Sequence, residues 1–312
     1  MPIATRSARR WGIGLTTVAT TVTVLATGTP AQAAGTAAAA PSGVGAKGAY
    51  LLDAGSGKKL WSKGDTTKRQ MASTTKIMTA IVALQTKGAL DKQITVKQEY
   101  RDYVTREGAS TADLRTGDKL KVKQLLPALM LPSGCDAAYA IADAIGSGSS
   151  VKARTKSFIG KMNKTADELG LKNTEFDSFD GISPGGDNYT TPGDLAKMAQ
   201  HALKNTTFAS TVKTTTAKEV ATNGRTYTWT NTNQLLGSYK GAIGVKTGSG
   251  TAAGPCLVFA AKRDGKTVVG VVLYSKSAAA RYTDAKAMLD WAYGTQTKQM
   301  KLRELPAGAQ RD

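Results

Sequence analysis

The chain has 312 residues, 41% of them hydrophobic, with 42 Lys and Arg against 23 Asp and Glu, a formal net charge of +19. That is enough for one large domain or two modest ones, too apolar for wholesale disorder, and without an internal apolar run of membrane-spanning length. Two cysteines are too few for a disulfide framework, and a single histidine argues against both a Ser-His-Asp triad and a zinc site; no metal or other cofactor is expected.

Residues 1–33 read as a secretory signal peptide. Arg6, Arg9 and Arg10 form a positive start, residues 11–27 are moderately apolar, and Ala31-Gln32-Ala33 predicts cleavage before Ala34. Cleavage removes three arginines and no acids, so the mature charge is +19 − 3, about +16. Such a surplus suits anionic surroundings such as wall polymers. Nucleic acid is excluded as a partner by the scattered lysines, 6% aromatics and lack of a reading motif. Residues 34–46 are rich in Ala, Gly and Pro and read as a linker, leaving residues 47–294 as the main domain.

Residues 49–53 and 58–62, joined by Ala54-Gly55-Ser56-Gly57, predict a β-hairpin. Residues 71–84 then read as one helix running toward Gly88, apolar nearly all round and therefore buried. Ser73 and Lys76 break that pattern. Three positions apart, they share a helix face with Cβ atoms roughly 5–6 Å apart, so amine and hydroxyl can meet. A buried lysine is pushed toward its neutral form, and a neutral amine beside a hydroxyl at a helix start is a base next to a nucleophile, with free N–H groups nearby for an oxyanion. Taken alone, S-x-x-K is equally well a capping serine beside an unrelated lysine.

Residues 91–123 are polar, carry short strand-like pieces and read as loops. Helices follow at 124–131 and 137–145, interrupted by Pro132-Ser133-Gly134-Cys135-Asp136, and then at 151–169. Thr191 and Pro192 predict the start of a helix containing His201, read as a half-exposed helix residue. From about residue 205 the composition turns to strands: 217–220, 226–230, 242–247, 256–262 and 268–274. Residues 283–293 close the domain as a helix, and the tail 295–312 is assigned no structure. The order predicts an α+β fold, an antiparallel sheet flanked by helices with an inserted, mostly helical lobe at about 73–203.

Ser73-x-x-Lys76, Ser133-Gly134-Cys135 and Lys246-Thr247-Gly248, in that order, resemble the signature of penicillin-binding proteins and serine β-lactamases. Residues 71–80, 130–134, 231–236 and 244–248 are similar to the serine-type D-Ala-D-Ala carboxypeptidases, the low-molecular-mass penicillin-binding proteins. The resemblance runs from about Tyr50 to Tyr293. It implies a β-lactamase/transpeptidase-like fold, a five-stranded antiparallel sheet with helices on both sides and the active site at the junction with the helical lobe. It also implies roles. Ser73 is the acylated nucleophile, Lys76 takes its proton, and Ser133 relays a proton to the leaving amine. Lys246 and Thr247 hold the carboxylate of a D-Ala-D-Ala stem peptide, Gly248 follows them, and the N–H groups of Ser73 and Ser249 form the oxyanion hole. Peptidoglycan stem peptides and β-lactams are the implied ligands, cell-wall biogenesis and cell shape the implied process, and the cell envelope outside the cytoplasmic membrane the implied location.

Cys135 stands where most members carry Asn and is expected to line the site as a thiol with some thiolate character, a bridge to Cys256 or inert burial being the alternatives. Thr232 stands where some members place an arginine that helps bind the carboxylate. The rival readings are a transpeptidase using an amine acceptor, a serine β-lactamase and a non-catalytic β-lactam-binding module. The lactamase reading lacks a water-activating Glu-x-x-Leu-Asn element, since Glu168 to Asn173 misses by a residue and reads as a helix end.

Overall fold

The structure, a computed structural model, describes residues 40–310. The signal peptide and the start of the linker lie outside the described residues. β1 (Gly48–Asp53) and β2 (Lys59–Lys63) form the anticipated hairpin, with Leu51 opposite Trp61. After β3 (Arg69–Gln70), the segment read as one helix divides. Ala72–Thr75 is a 3-10 turn, and the α-helix α1 (Lys76–Gln85) starts only at the lysine. Ala72 has φ +46°, outside the helical region, so no α-helix runs back through it.

The stretch 91–123 is not all loop. It holds β4 (Gln93–Thr95), α2 (Gln98–Glu107) and β5 (Lys119–Lys121), which pairs with β4. Of the α2 residues only Tyr100 is fully buried, so the helix has no apolar stripe to announce it. Next come α3 (Val122–Met130), α4 (Cys135–Ile145) and α5 (Val151–Glu168). α4 starts two residues before the expected position, which makes Cys135 its first residue. β6 (Tyr189–Thr190) pairs with β3, and α6 (Pro192–Leu203) begins as anticipated, Thr191 Oγ1 accepting from the Asp194 N–H at 3.2 Å. α7 (Thr206–Lys213) was unanticipated and is capped by Asn205, whose Oδ1 accepts from the Phe208 N–H. β7 (Thr216–Val220) and β8 (Thr226–Thr230) pair only with each other. β9 (Ala242–Gly248), β10 (Cys256–Arg263) and β11 (Lys266–Leu273) complete the main sheet, and α8 (Ala280–Tyr293) follows.

The main sheet is five-stranded and antiparallel, ordered β2-β1-β11-β10-β9. Its inner strands are buried on both faces, which explains their nearly continuous apolar sequences. Along β11, Val269, Val271 and Leu273 join the core shared with α1 and the helical lobe. Val268 and Val272 join the core under α8, with Leu51, Leu257, Phe259 and Met288. Each such side chain contributes about 1.5–3 kcal/mol on burial. Gly270, on the α8 side with Val268 and Val272, is a glycine because the Phe259 ring fills the space, a hypothetical Cβ lying only 2.1 Å from Phe259 Cζ.

The tail has no helix or strand after α8, yet it is bound along its length. Met300 and Leu302 pack on the α8 core. The Arg303 guanidinium donates to the carbonyls of Asn231, Asn233 (3.3 Å) and Leu236 (3.1 Å), its N–H donates to Ser238 Oγ at 2.6 Å, and its carbonyl accepts from Gln234 Nε2 at 2.8 Å. The turn 231–238 thus obtains partners for its carbonyls from outside itself. Arg303→Ala is therefore expected to cost about 2–3 kcal/mol, since bonds from a charged group are worth more than neutral ones. Urea unfolding reads this directly, and a loss below about 0.5 kcal/mol would show that the tail is merely laid on the surface.

Candidate active site

Ser73 sits in the 3-10 turn, and Lys76 opens α1 with no solvent exposure. Lys76 Nζ lies 2.8 Å from Ser73 Oγ, 3.0 Å from the Asp180 carbonyl and 3.3 Å from Cys135 Sγ. A fully buried amine thereby has three partners, all fixed by backbone or by short side chains. The Ser73 turn is gripped from two sides by glycines. A Cβ on Gly181, whose φ is +101°, would fall 2.0 Å from the Ala72 carbonyl oxygen, and one on Gly248 would fall 3.0 Å from the Ser73 nitrogen. The end of β9 therefore lies directly against the Ser73 amide, bringing the chain at Ser249 beside it.

The second element is built on a left-handed residue, Ser133, with φ +65°. Its carbonyl accepts from Ser110 Oγ at 2.6 Å, and the Cys135 N–H donates to the Ser110 carbonyl at 2.9 Å. Gly134 is pressed between Ala112, the Ala128 carbonyl and Asp136, each within 2.8 Å of a hypothetical Cβ. The buried Asp136 carboxylate accepts from the N–H groups of Ala112, Leu114 and Ala137 and from Thr111 Oγ1, pinning the loop 110–114 over the start of α4. The Ser133 hydroxyl is buried and makes no hydrogen bond among the described residues. Lys76 is thus hydrogen-bonded to Cys135 and Asp180, while Ser133 Oγ makes no such bond among the described residues.

The third element ends β9. Lys246 and Thr247 are buried, Lys246 Nζ donating to the Thr247 carbonyl at 3.1 Å and Thr247 Oγ1 lying 2.6 Å from Thr232 Oγ1. Thr232, in the turn braced by Arg303, thus reaches the threonine beside Lys246. Buried Arg281, near the start of α8, donates to Ser249 Oγ at 3.1 Å and to the Gly248 carbonyl at 3.3 Å. These segments enclose a cleft of about 670 Å³. Ser73, Cys135 and Ser249 line it directly, with Ser110, Gly181 and, from the tail, Gln310. Lys76, Ser133, Lys246 and Thr247 are buried and are not among the residues that line it.

Three features escaped the sequence reading. Asp180 and Arg281 carried no motif, and Gln310 lay in a tail assigned no structure. The one signal for Arg281 was an arginine directly after the small residues Ser277-Ala278-Ala279-Ala280. His201 is half-buried near α1, paired with Gln85 Nε2 at 3.1 Å, and its pKa is lowered by burial and by Lys204; it is not among the residues lining the cleft. Among the described residues no cluster of His, Cys, Asp and Glu could hold a metal ion. The thiolate expected at Cys135 is a correction. Burial pushes this thiol up to about 12, outweighing the opposing pull of Lys76, and Asp180 pushes it further. Cys135 and Cys256 are both free and buried, so no disulfide joins them.

Comparison with known proteins bears on this arrangement. Residues 34–277 match the D-alanyl-D-alanine carboxypeptidase family. The chain is 54% identical over 283 residues to the D-alanyl-D-alanine carboxypeptidase of Streptomyces sp. strain K15, covering 89% of this chain and 97% of the relative. It is 35% identical over 254 residues to D-alanyl-D-alanine carboxypeptidase DacF of Bacillus subtilis, covering 80% of this chain and 62% of that longer relative. The crystal structure of the Streptomyces K15 DD-transpeptidase superposes with a TM-score of 0.78 at 53% identity, covering 81% of this chain and 98% of the other.

The burial of both cysteines makes a direct prediction. Cys135 and Cys256 are held at about 12 and about 11, so thiolate is scarce at pH 8. A colorimetric thiol reagent should find no fast-reacting thiol in the native protein at pH 8 and two after denaturation. Rapid labelling of native Cys135 would show a thiol far more acidic than its burial allows.

Proposed function

Because the chain belongs to the D-alanyl-D-alanine carboxypeptidase family, we propose that it is an exported serine enzyme that trims D-Ala-D-Ala stem peptides of peptidoglycan and is inhibited by penicillin. The observation that carries this reading is the 2.8 Å contact between buried Lys76 and Ser73 at the wall of the cleft. Lys76 takes the Ser73 proton as Oγ attacks the carbonyl of the penultimate D-Ala, a base within hydrogen-bond reach of its nucleophile. The N–H groups of Ser73 and Ser249 stabilise the oxyanion. Ser133, whose hydroxyl has no other hydrogen bond among the described residues, passes a proton to the leaving D-Ala amine. Lys246 and Thr247 hold the terminal carboxylate, with Thr232 bonded to Thr247 and Arg281 to the following Gly248 carbonyl. Gly248 lets β9 approach the nucleophile, and Cys135 forms the wall beside the acyl group. Water then releases the product from Ser73.

Transfer of the acyl group to an amine is a second reading, supported by the similarity to the Streptomyces K15 DD-transpeptidase. Rapid β-lactam hydrolysis is disfavoured: Glu168 ends α5, is exposed and pairs with Lys164 at 3.7 Å. The signal-like first 33 residues support work in the cell envelope, in cell-wall biogenesis and cell shape, and the surplus of basic residues supports contact with anionic wall polymers.

Two variants test the roles. Intact mass after penicillin treatment should rise by one ligand mass in the wild-type protein and remain unchanged for Ser73→Ala; a label mapped to another residue sinks the assignment. Lys246→Ala should lose about 1.5–3 kcal/mol of transition-state binding for acid-terminated peptides, roughly ten- to a hundred-fold in kcat/KM. Neutral esters of the same peptides should lose less. Equal losses would show that Lys246 does not read the carboxylate.

A further inference from the structure

Among the described residues that line the cleft, only Glu107 carries a formal charge, and that charge is negative. The rest of the lining is hydroxyl, amide, backbone and small apolar side chain, with the Cys135 thiol held neutral by burial. In a chain with 42 Lys and Arg against 23 Asp and Glu, a lone charge in a cleft would more often be basic. The helix also disfavours it. Glu107 is the last residue of α2, where carbonyls without helical partners carry partial negative charge and repel a carboxylate. Its place is nevertheless fixed by the backbone. Gly108, with φ +57°, ends the helix, the Ala109 N–H donates back to the Val104 carbonyl at 2.9 Å, and Ser110 is bonded to Ser133 and Cys135. Glu107 Oε1 accepts from Arg106 Nε at 2.9 Å, and Oε2 takes no hydrogen bond among the described residues. Arg106 is exposed, does not line the cleft and lies with its guanidinium over the Tyr103 ring at 5.4 Å. An acid kept on a cleft wall where the local structure is against it marks a functional position.

We propose that Glu107 is a specificity-determining residue, its carboxylate selecting stem peptides that carry a primary ammonium on the residue before D-Ala-D-Ala. The proposal rests on the function read above and names the substrate class within it. With the terminal carboxylate held at Lys246 and Thr247, the part of the peptide upstream of the scissile bond meets the remaining lining, in which Glu107 is the one charge. An ammonium brought there gains a charged partner with an oxygen still free to accept, whereas a neutral or anionic side chain gains nothing or is repelled. The Glu107 side chain keeps 27% exposure, so water and salt screen the attraction and the discrimination is modest.

Two peptides that differ in one charge test this, Nα-acetyl-Lys-D-Ala-D-Ala and its Nα,Nε-diacetyl counterpart. The kcat/KM for release of D-alanine reports acylation, and so the donor peptide alone. The wild-type protein should favour the free amine by about fivefold at low ionic strength, the upper end for a pair still open to water, and the ratio should fall toward one in high salt. Glu107→Gln should bring the ratio to about one at any salt, Glu107→Lys should reverse it, and Glu107→Asp should keep part of it. A wild-type ratio of one, or a Glu107→Gln variant that loses equally on both peptides, overturns the proposal, because a merely structural role does not distinguish the two. Labelling by penicillin separates this from the function reading. A protein that is acylated by penicillin but shows no amine preference overturns the role of Glu107 alone. A protein that is neither acylated nor releases D-alanine overturns the function reading, and the ratio of the two peptides' Kd values, measured by calorimetry in wild type and Glu107→Gln, then decides on Glu107.

Discussion

A lysine sealed from solvent at the first turn of a helix is the constraint on which the rest depends. An amine there needs a partner for each N–H, and no solvent is available to supply one. Lys76 finds Ser73 on its own turn, Cys135 on α4 and a carbonyl from the loop at 178–183. Those three partners come from regions far apart in sequence, so the packing of α1 against α4 and the path of the 178–183 loop are fixed by the same small set of contacts. Asp136 and Ser110 then hold the start of α4, and Gly181 holds the loop against Ala72. The arrangement is polar yet satisfied, which is the condition under which a buried network defines one geometry rather than destabilising the fold.

The sheet supplies the other side of the cleft by being rigid. Strands buried on both faces leave β9 no freedom to shift, so the position of Gly248 against the Ser73 amide is set by the cores above and below it. Thr232 and Arg281 extend that rigidity to the segment after β9, one through Thr247 and the other through Ser249 and the Gly248 carbonyl.

What was legible from sequence follows from how local each signal is. Strands β8 to β11 and the cap at Thr191 are written in period, turn residues and capping chemistry, and they appear within a few residues of where they were expected. The three short motifs were legible because their order and spacing carry chemistry. α2 was invisible because it buries one aromatic residue fully and shows water a polar face. The helical segment cannot reach back to Met71 because Ala72 is left-handed, which alanine gives no reason to expect. The acidity of Cys135 was misjudged because the neighbouring lysine was legible and the depth of burial was not. Arg303 and Asp180 act through long-range contacts, and nothing in their immediate neighbours signals partners 65 or more residues away.

The lining of the cleft runs in sequence from Gln70 to Gln310. A pocket closed by residues so far apart has very high contact order, and its loop-closure entropy is met only when the chain's last segments dock. A fragment that stops before the end of β9 therefore lacks one wall of the cleft, however well its helices form. Ability to take up a ligand there reports complete assembly rather than local order, and it is the property that partial misfolding would remove first.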